Sequence, residues 1–310
     1  MTGVTKEMRT EQRSLSLVER KQEKERLLVL SIKKLKVPIW FERSCKITEK
    51  KIHINRFIYY FSKASLGQNA PERILDICVR LDMPDSLLAS FQKILPDLSF
   101  IHFGFEEKES TCGYKIYGEY GVDRKSIPKM KEPFIGALGF KWDAFNPEKQ
   151  VITKYTCLPA LSLENIHERV TDVFQAKVNS LLVEASKDVL NHALKNITLN
   201  EVIYLEVSDG NGPRRSFDIN VYDAGLRMKH ISQSIIKIFK HFSIPDSVYE
   251  NIYNPNNDYS FGHISGGVDK DGKAFISLYG GLEKQQYKNN VNEVRQMGNS
   301  DNKNLKSTKD

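Results

Sequence analysis

The 310-residue sequence predicts an α+β protein: a ten-stranded antiparallel β-barrel built from five αββα repeats with an outer ring of helices. Three observations carry this. Paired strand-like runs around a polar turn recur five times, with helical segments between them. A polar residue, any residue, then a tyrosine closes the second run at Lys115-Ile116-Tyr117, Thr153-Lys154-Tyr155, Asn220-Val221-Tyr222 and Ser277-Leu278-Tyr279, with a looser copy at Asn55–Tyr60. Residues two apart in a strand share a face, so each copy aims a polar group and a phenol one way and an apolar residue the other. Finally, ten strands in an open sheet expose edges, and interleaved helices need an apolar face to cover. Closing the sheet with the helices outside meets both demands.

Residues 5–36, rich in Leu, Glu, Lys and Arg, form a peripheral helix. The first hairpin runs from Phe41–Ile47 through a turn at Thr48–Lys51 to Ile52–Phe61. Pro71 opens a helix carrying Ile74, Ile77 and Leu81, and Pro84 restarts it with Leu87, Leu88 and Phe91. The second hairpin is Leu98–Glu106 with Gly113–Tyr120, followed by a short proline-interrupted helix in 123–137. Gly139–Phe145 and Val151–Leu158 make the third. Val170, Phe174, Val178, Leu181, Leu182, Ala185 and Val189 then recur at helical steps, giving one long amphipathic helix. The fourth hairpin is Val202–Ser208 with Ser216–Tyr222, a helix follows over 226–243, and Ile244–Tyr253 adds a further turn or two. Tyr259–Val268 and Ala274–Tyr279 make the fifth. The expected organisation is an N-terminal helical segment over 1–37, a barrel over 38–282, and a polar tail without fixed structure over 283–310.

Strand alternation turns Phe41, Phe57, Tyr59, Phe61, Ile116, Val221, Ile276 and Leu278 toward the helices. It turns Glu42, Ser44, Lys46, Arg56, Lys115, Tyr117, Glu119, Asp218, Asn220, Tyr222, Ser277 and Tyr279 into the lumen. So polar a lumen is suited to water and a ligand. The net charge of +7 and pI near 9.0 favour an anionic one. Cys45, Cys78, Cys112 and Cys157 are scattered without a CxxC, which suggests neither zinc nor disulfides. No run approaches the roughly 18 apolar residues of a membrane span, and no cleaved signal is visible, so a cytoplasmic protein is expected. GxGxxG, a P-loop and DDxxD are all absent, and the Asp269-Lys270-Asp271-Gly272 turn lacks the later carboxylate of a calcium loop.

Arg56, Lys115 and Lys46 are the groups that neutralise a pyrophosphate, with Asn220 and Ser277 as further donors. Phenol faces at Tyr117, Tyr155, Tyr222 and Tyr279 suit an allylic carbocation, and Glu42 is placed to take a proton from an alkylated nucleophile. The stretch Glu42-Arg43-Ser44-Cys45-Lys46-Ile47, followed by Asn55-Arg56-Phe57, resembles the first hairpin of the cyanobactin prenyltransferases, members of the ABBA superfamily whose fold is the PT barrel. The order of all five hairpins agrees across residues 38–282. That resemblance implies transfer of a dimethylallyl or geranyl group from its diphosphate to a side chain of a ribosomally made, typically cyclic peptide, with Mg²⁺ accompanying the diphosphate. It makes Glu42 the base, Arg56 and Lys115 the pyrophosphate ligands, and the four tyrosines the cation shield. The chain departs from the pattern at Glu119, where a basic residue is expected, and at Glu206, near where relatives carry a bulky aromatic that limits donor length. With Asp218 and His263 these are assigned to the acceptor or donor-length pocket, and the carboxylates Glu42, Glu119, Glu206 and Asp218 in one lumen suggest that a basic acceptor such as arginine is accepted.

Other readings stand beside these. Glu42 could simply pair with Arg43 or Lys46. His102 and His263 could be structural, and Lys154 and Arg214 are read as surface residues. A small-molecule aromatic prenyltransferase on the same fold is the near alternative, and a basic barrel holding single-stranded nucleic acid the distant one. The expected partners are a prenyl diphosphate and a peptide, without nucleic acid or membrane, and the chain is expected to act as a monomer.

Overall fold

A computed structural model describes residues 15–210, 212–248 and 258–285. Its strands are β1 (Ile39–Thr48), β2 (Lys51–His53), β3 (Arg56–Ser62), β4 (Leu98–Glu107), β5 (Cys112–Tyr120), β6 (Phe134–Asp143), β7 (Gln150–Cys157), β8 (Ile203–Asp209), β9 (Arg215–Asn220), β10 (Phe261–Val268) and β11 (Ala274–Gln285). Each pairs antiparallel with its neighbour, and β11 pairs back onto β1, so the sheet closes. The short β2 flanks the end of β1; the other ten strands form the expected ring.

Helices α1 (Leu17–Lys33), α2 (Ala70–Arg80), α3 (Asp85–Ile94), α4 (Leu163–Phe174), α5 (Ala176–Ala193) and α6 (Ser232–His241) cover the outside. Ser16 and Glu19 cap α1 reciprocally, as Ser162 and Asn165 cap α4. Two apolar layers join helices to barrel. In one, Leu28, Ile32, Ile74 and Phe91 meet Phe61, Phe103, Ile116 and Phe140. In the other, Val170, Phe174, Val189 and Ile238 meet Phe217, Ile219, Ile276 and Leu278. All eight residues expected to face the helices are buried, each such side chain contributing about 1.5–3 kcal/mol. No helix among the described residues is long and apolar enough to cross a membrane.

Several boundaries differ from the sequence expectation. The first hairpin's second strand is interrupted: the Asn55 amide donates to Glu25 and Glu107 and splits it into β2 and β3. The helix expected within 123–137 is only a turn at Ile127–Lys129, and β6 begins at Phe134. Pro128 and Pro133 lack the N–H that a helix there would need. The long amphipathic helix breaks at Gln175, whose φ is 51°, with the Asn179 amide donating to the Phe174 carbonyl. This shifts the phase, so Val178, counted with the apolar face, is 76% exposed. β11 runs on to Gln285, taking residues 283–285 from the expected tail. The rest of that tail, the start of the N-terminal segment and most of the turn expected after Ile244 lie outside the described residues.

Candidate active site

All the turns within hairpins lie at one end of the barrel and the helical connections at the other. Strand register therefore ranks the lumen side chains by depth. Lys46, Ser277, Ser265 and Asp218 lie level with one another, as do Ser44, Tyr279, His263 and Asn220 one step nearer the helical end.

At the hairpin end the lumen is cationic. Arg56 contacts Glu106 at 3.1 Å and donates to Ser277 at 3.3 Å, while its buried Nε has no partner. Lys115 donates to the same carboxylate. Burial opposes ionisation of Glu106, but Lys115, Arg56, Lys108 and Lys46 outweigh it and hold the carboxyl well below its usual range. Burial pushes Lys115 down to about 7, against the pull of Glu106, and Lys46 down to about 8. Lys46 lies 4.4 Å from the centre of the Phe275 ring, with Arg214 5.5 Å from it on the same ring. Arg214 pairs with Asp209 at 3.2 Å. Lys141 has no ion-pair partner among the described residues and lies 5.9 and 5.8 Å from the ring centres of Tyr117 and Tyr155.

Phenols line the middle. Tyr117 and Tyr155 meet edge to face at 5.6 Å. Gly139 makes that possible, since a Cβ there would fall 2.8 Å from the Tyr117 ring. Burial pushes Tyr155 up to about 12 and raises Tyr117 and Tyr279 as well, so all three rings stay neutral hydrogen-bond donors.

Toward the helical end, Glu42, His263 and Asp218 form a chain. Asp218 lies 2.8 Å from His263 Nδ1, and Glu42 Oε1 lies 3.6 Å from Nε2. Glu42 Oε1 is buried without a hydrogen-bond partner. Burial works against a charged imidazole, but Asp218 and Glu42 outweigh it and lift His263 to about 10. His263 stacks on Tyr279 with ring centres 3.9 Å apart, and the tilted Tyr222 ring lies 5.9 Å from it. Tyr222 follows the strand rather than ending it, seated so closely on Gly262 that a Cβ there would come within 2.1 Å of its ring.

Lys46, Arg56, Lys115, Ser277, Tyr117, Tyr155, Tyr279, Glu42, Asp218 and His263 thus share one lumen, and Glu42 pairs with neither Arg43 nor Lys46. Four assignments change. Glu206 faces outward, paired with Arg169 on α4, because β8 presents Leu205 and Val207 inward. Asn220 lies at the helical end, accepting from Arg124 at 3.1 Å, so it does not join the cationic pole. Glu119 is at the rim, 3.0 Å from His102. Arg214, read as a surface residue, enters the lumen, whereas Lys154 is exposed as expected. Glu106 and Lys141 join this set although no motif marks them in the sequence; alternation with Gly104 and Gly139 points both inward. Among the described residues no three His, Cys, Asp or Glu side chains are placed to hold a metal ion.

No protein-family model matches the sequence, and no curated protein does. Solved structures do match. The 5-dimethylallyltryptophan synthase from Streptomyces coelicolor superposes with a TM-score of 0.52 at 12% identity, over 78% of this chain and 80% of that one. The fold is that of the PT-barrel prenyltransferases. The prenyltransferase PriB, bound to L-tryptophan and dimethylallyl thiolodiphosphate, superposes with a TM-score of 0.51 at 9% identity, over 78% of this chain and 79% of its own.

Proposed function

We propose that this chain transfers an allylic isoprenyl group, dimethylallyl or geranyl, from its diphosphate to an aromatic acceptor. The observation that carries this is charge separation along one lumen. Five basic side chains, Lys46, Arg56, Lys115, Lys141 and Arg214, face two carboxylates, Glu106 and Asp209, at the hairpin end. Neutral phenols fill the middle, and beyond them stands the buried Glu42 carboxylate, whose Oε1 accepts no hydrogen bond and has only the His263 imidazole at 3.6 Å. The donor's diphosphate lies among the cations, which stabilise the charge that builds on it as the carbon–oxygen bond breaks. Tyr117, Tyr155 and Tyr279 face the allylic cation and exclude water. The acceptor attacks from the helical end, and Glu42 takes the proton released as the new bond forms. His263, held by Asp218, keeps Glu42 in place. The structural neighbours that act on tryptophan or bind it with a donor analogue support an indole-type acceptor.

A peptide-borne acceptor, as the first-hairpin resemblance implies, is the second reading. It is favoured by the rim, where Phe100, opposite Glu119 across the β4–β5 pair, is 38% exposed and offers a longer acceptor an apolar contact. Incubation with Mg²⁺, dimethylallyl, geranyl and farnesyl diphosphates, and separately L-tryptophan, simple phenols or cyclic peptides bearing Trp, Tyr, His or Arg, decides between them by product mass. Free tryptophan or phenol gaining the isoprene supports the first. Gain on peptides alone favours the second, and no turnover with no diphosphate binding rejects both.

A further inference from the structure

We infer that Lys141 is a proton-coupled anion ligand: uncharged in the empty lumen, it takes up one proton from solvent as a diphosphate enters and returns it when pyrophosphate leaves. This rests on the donor site proposed above and adds a coupling between donor binding and pH. Lys141 lies on β6 between the outward Phe140 and Trp142 and opposite Lys115 in register. The ionisable groups facing it are Lys115 and Tyr117 from β5, Tyr155 from β7, Asp209 from β8, Arg214 from the turn before β9 and Glu106 from β4. Neither carboxylate reaches it. Glu106 is taken by Arg56, Lys115 and Lys108, and Asp209 by Arg214 and Thr153.

What remains for the amine is two phenol faces. A half-buried lysine that touches no carboxylate and stands beside two cations is biased toward the neutral form, and partial burial, Arg214 and Lys115 hold Lys141 well below the ordinary lysine value. The other lumen cations differ from it. The arginines stay charged at any working pH and Lys115 has Glu106, while Lys46, lowered to about 8 over the Phe275 ring, adds a proton uptake that the wild type and Lys141→Arg share. An incoming diphosphate supplies the missing counter-charge, so the amine gains its proton at that moment.

The test titrates inorganic pyrophosphate calorimetrically at pH 7, 8 and 9, in two buffers of different ionisation heat, into the wild type, Lys141→Arg and Lys141→Met. NMR of lysine ζ-nitrogens in the ligand-free protein reads the starting state. A lysine signal missing from Lys141→Met should be neutral at pH 8. The wild type should take up more protons on binding than Lys141→Arg, and its affinity should fall about tenfold more per pH unit. Lys141→Arg, always charged, should bind throughout. An ammonium at Lys141 in the free protein at pH 8, or binding with equal proton uptake in wild type and Lys141→Arg, would overturn the inference while leaving the donor site standing. Absence of pyrophosphate binding at every pH would overturn both.

Discussion

Arg56 and Glu106 meet at 3.1 Å, side chains 7% and 12% exposed, and this pair compensates the cationic pole before any ligand arrives. Removing one member of a buried pair costs about 3–5 kcal/mol. Glu106→Gln should therefore lower stability by that order in denaturant unfolding. Pyrophosphate, replacing the lost negative charge, should raise the melting temperature of the variant more than that of the wild type. Equal shifts would mean that the pole is not where the anion binds.

Glu42 has one buried oxygen with no hydrogen-bond partner, the state expected of a base waiting for an acceptor proton. Glu42→Gln should cut kcat by about 10²–10⁴-fold with pyrophosphate affinity unchanged, because the carboxylate lies at the acceptor end. A parallel loss of pyrophosphate binding would assign Glu42 to the donor site instead.

His263 is lifted to about 10 by Asp218 and Glu42 against burial. Its raised value stabilises the fold below the unfolded histidine value of about 6.5, and that contribution is lost as pH rises through about 10. Lys46 and Lys115, lowered to about 8 and 7, act oppositely: the unfolded chain binds more protons there, so stability rises with pH from about 7 toward 10. Asp218→Asn removes the larger support for the imidazolium. Nitrogen chemical shifts of its His263 should titrate well below 10, and its melting temperature should climb more steeply between pH 7 and 10 than that of the wild type. An unchanged titration would show that Asp218 is not the group that holds the charge.

The barrel and most of its lumen were legible because period-2 alternation survives in strands covered on one face by helices, as in Arg56 beside Phe57 or Tyr117 beside Ile116. Arg214 was not legible, since it stands in a turn, where alternation assigns no face. Nor was the break at Gln175, since no Gly or Pro marks it. The Glu42–His263–Asp218 chain joins residues of β1, β10 and β9. Its pairing depends on barrel closure between β11 and β1, a contact between the two ends of the domain that local pattern does not encode.

Glu206 separates what alternation predicts from what proximity to a family pattern suggests. Its side chain, 43% exposed, pairs with that of Arg169, 40% exposed, an arrangement worth about 0–1 kcal/mol. Glu206→Gln should thus leave stability, turnover and donor choice nearly unchanged. The inward positions of β8 include Leu205, Val207 and Asp209, and Val207 pairs with Tyr155 and Ser216 along the lumen wall. Val207→Phe should therefore shift preference toward the shorter donor when dimethylallyl and geranyl diphosphates compete, at a packing cost of about 1–3 kcal/mol. If Glu206→Gln alone changed the donor ratio, β8 would have to present its opposite face to the lumen, and a one-residue slip would then expose Leu205 and Val207 to the helices in its place.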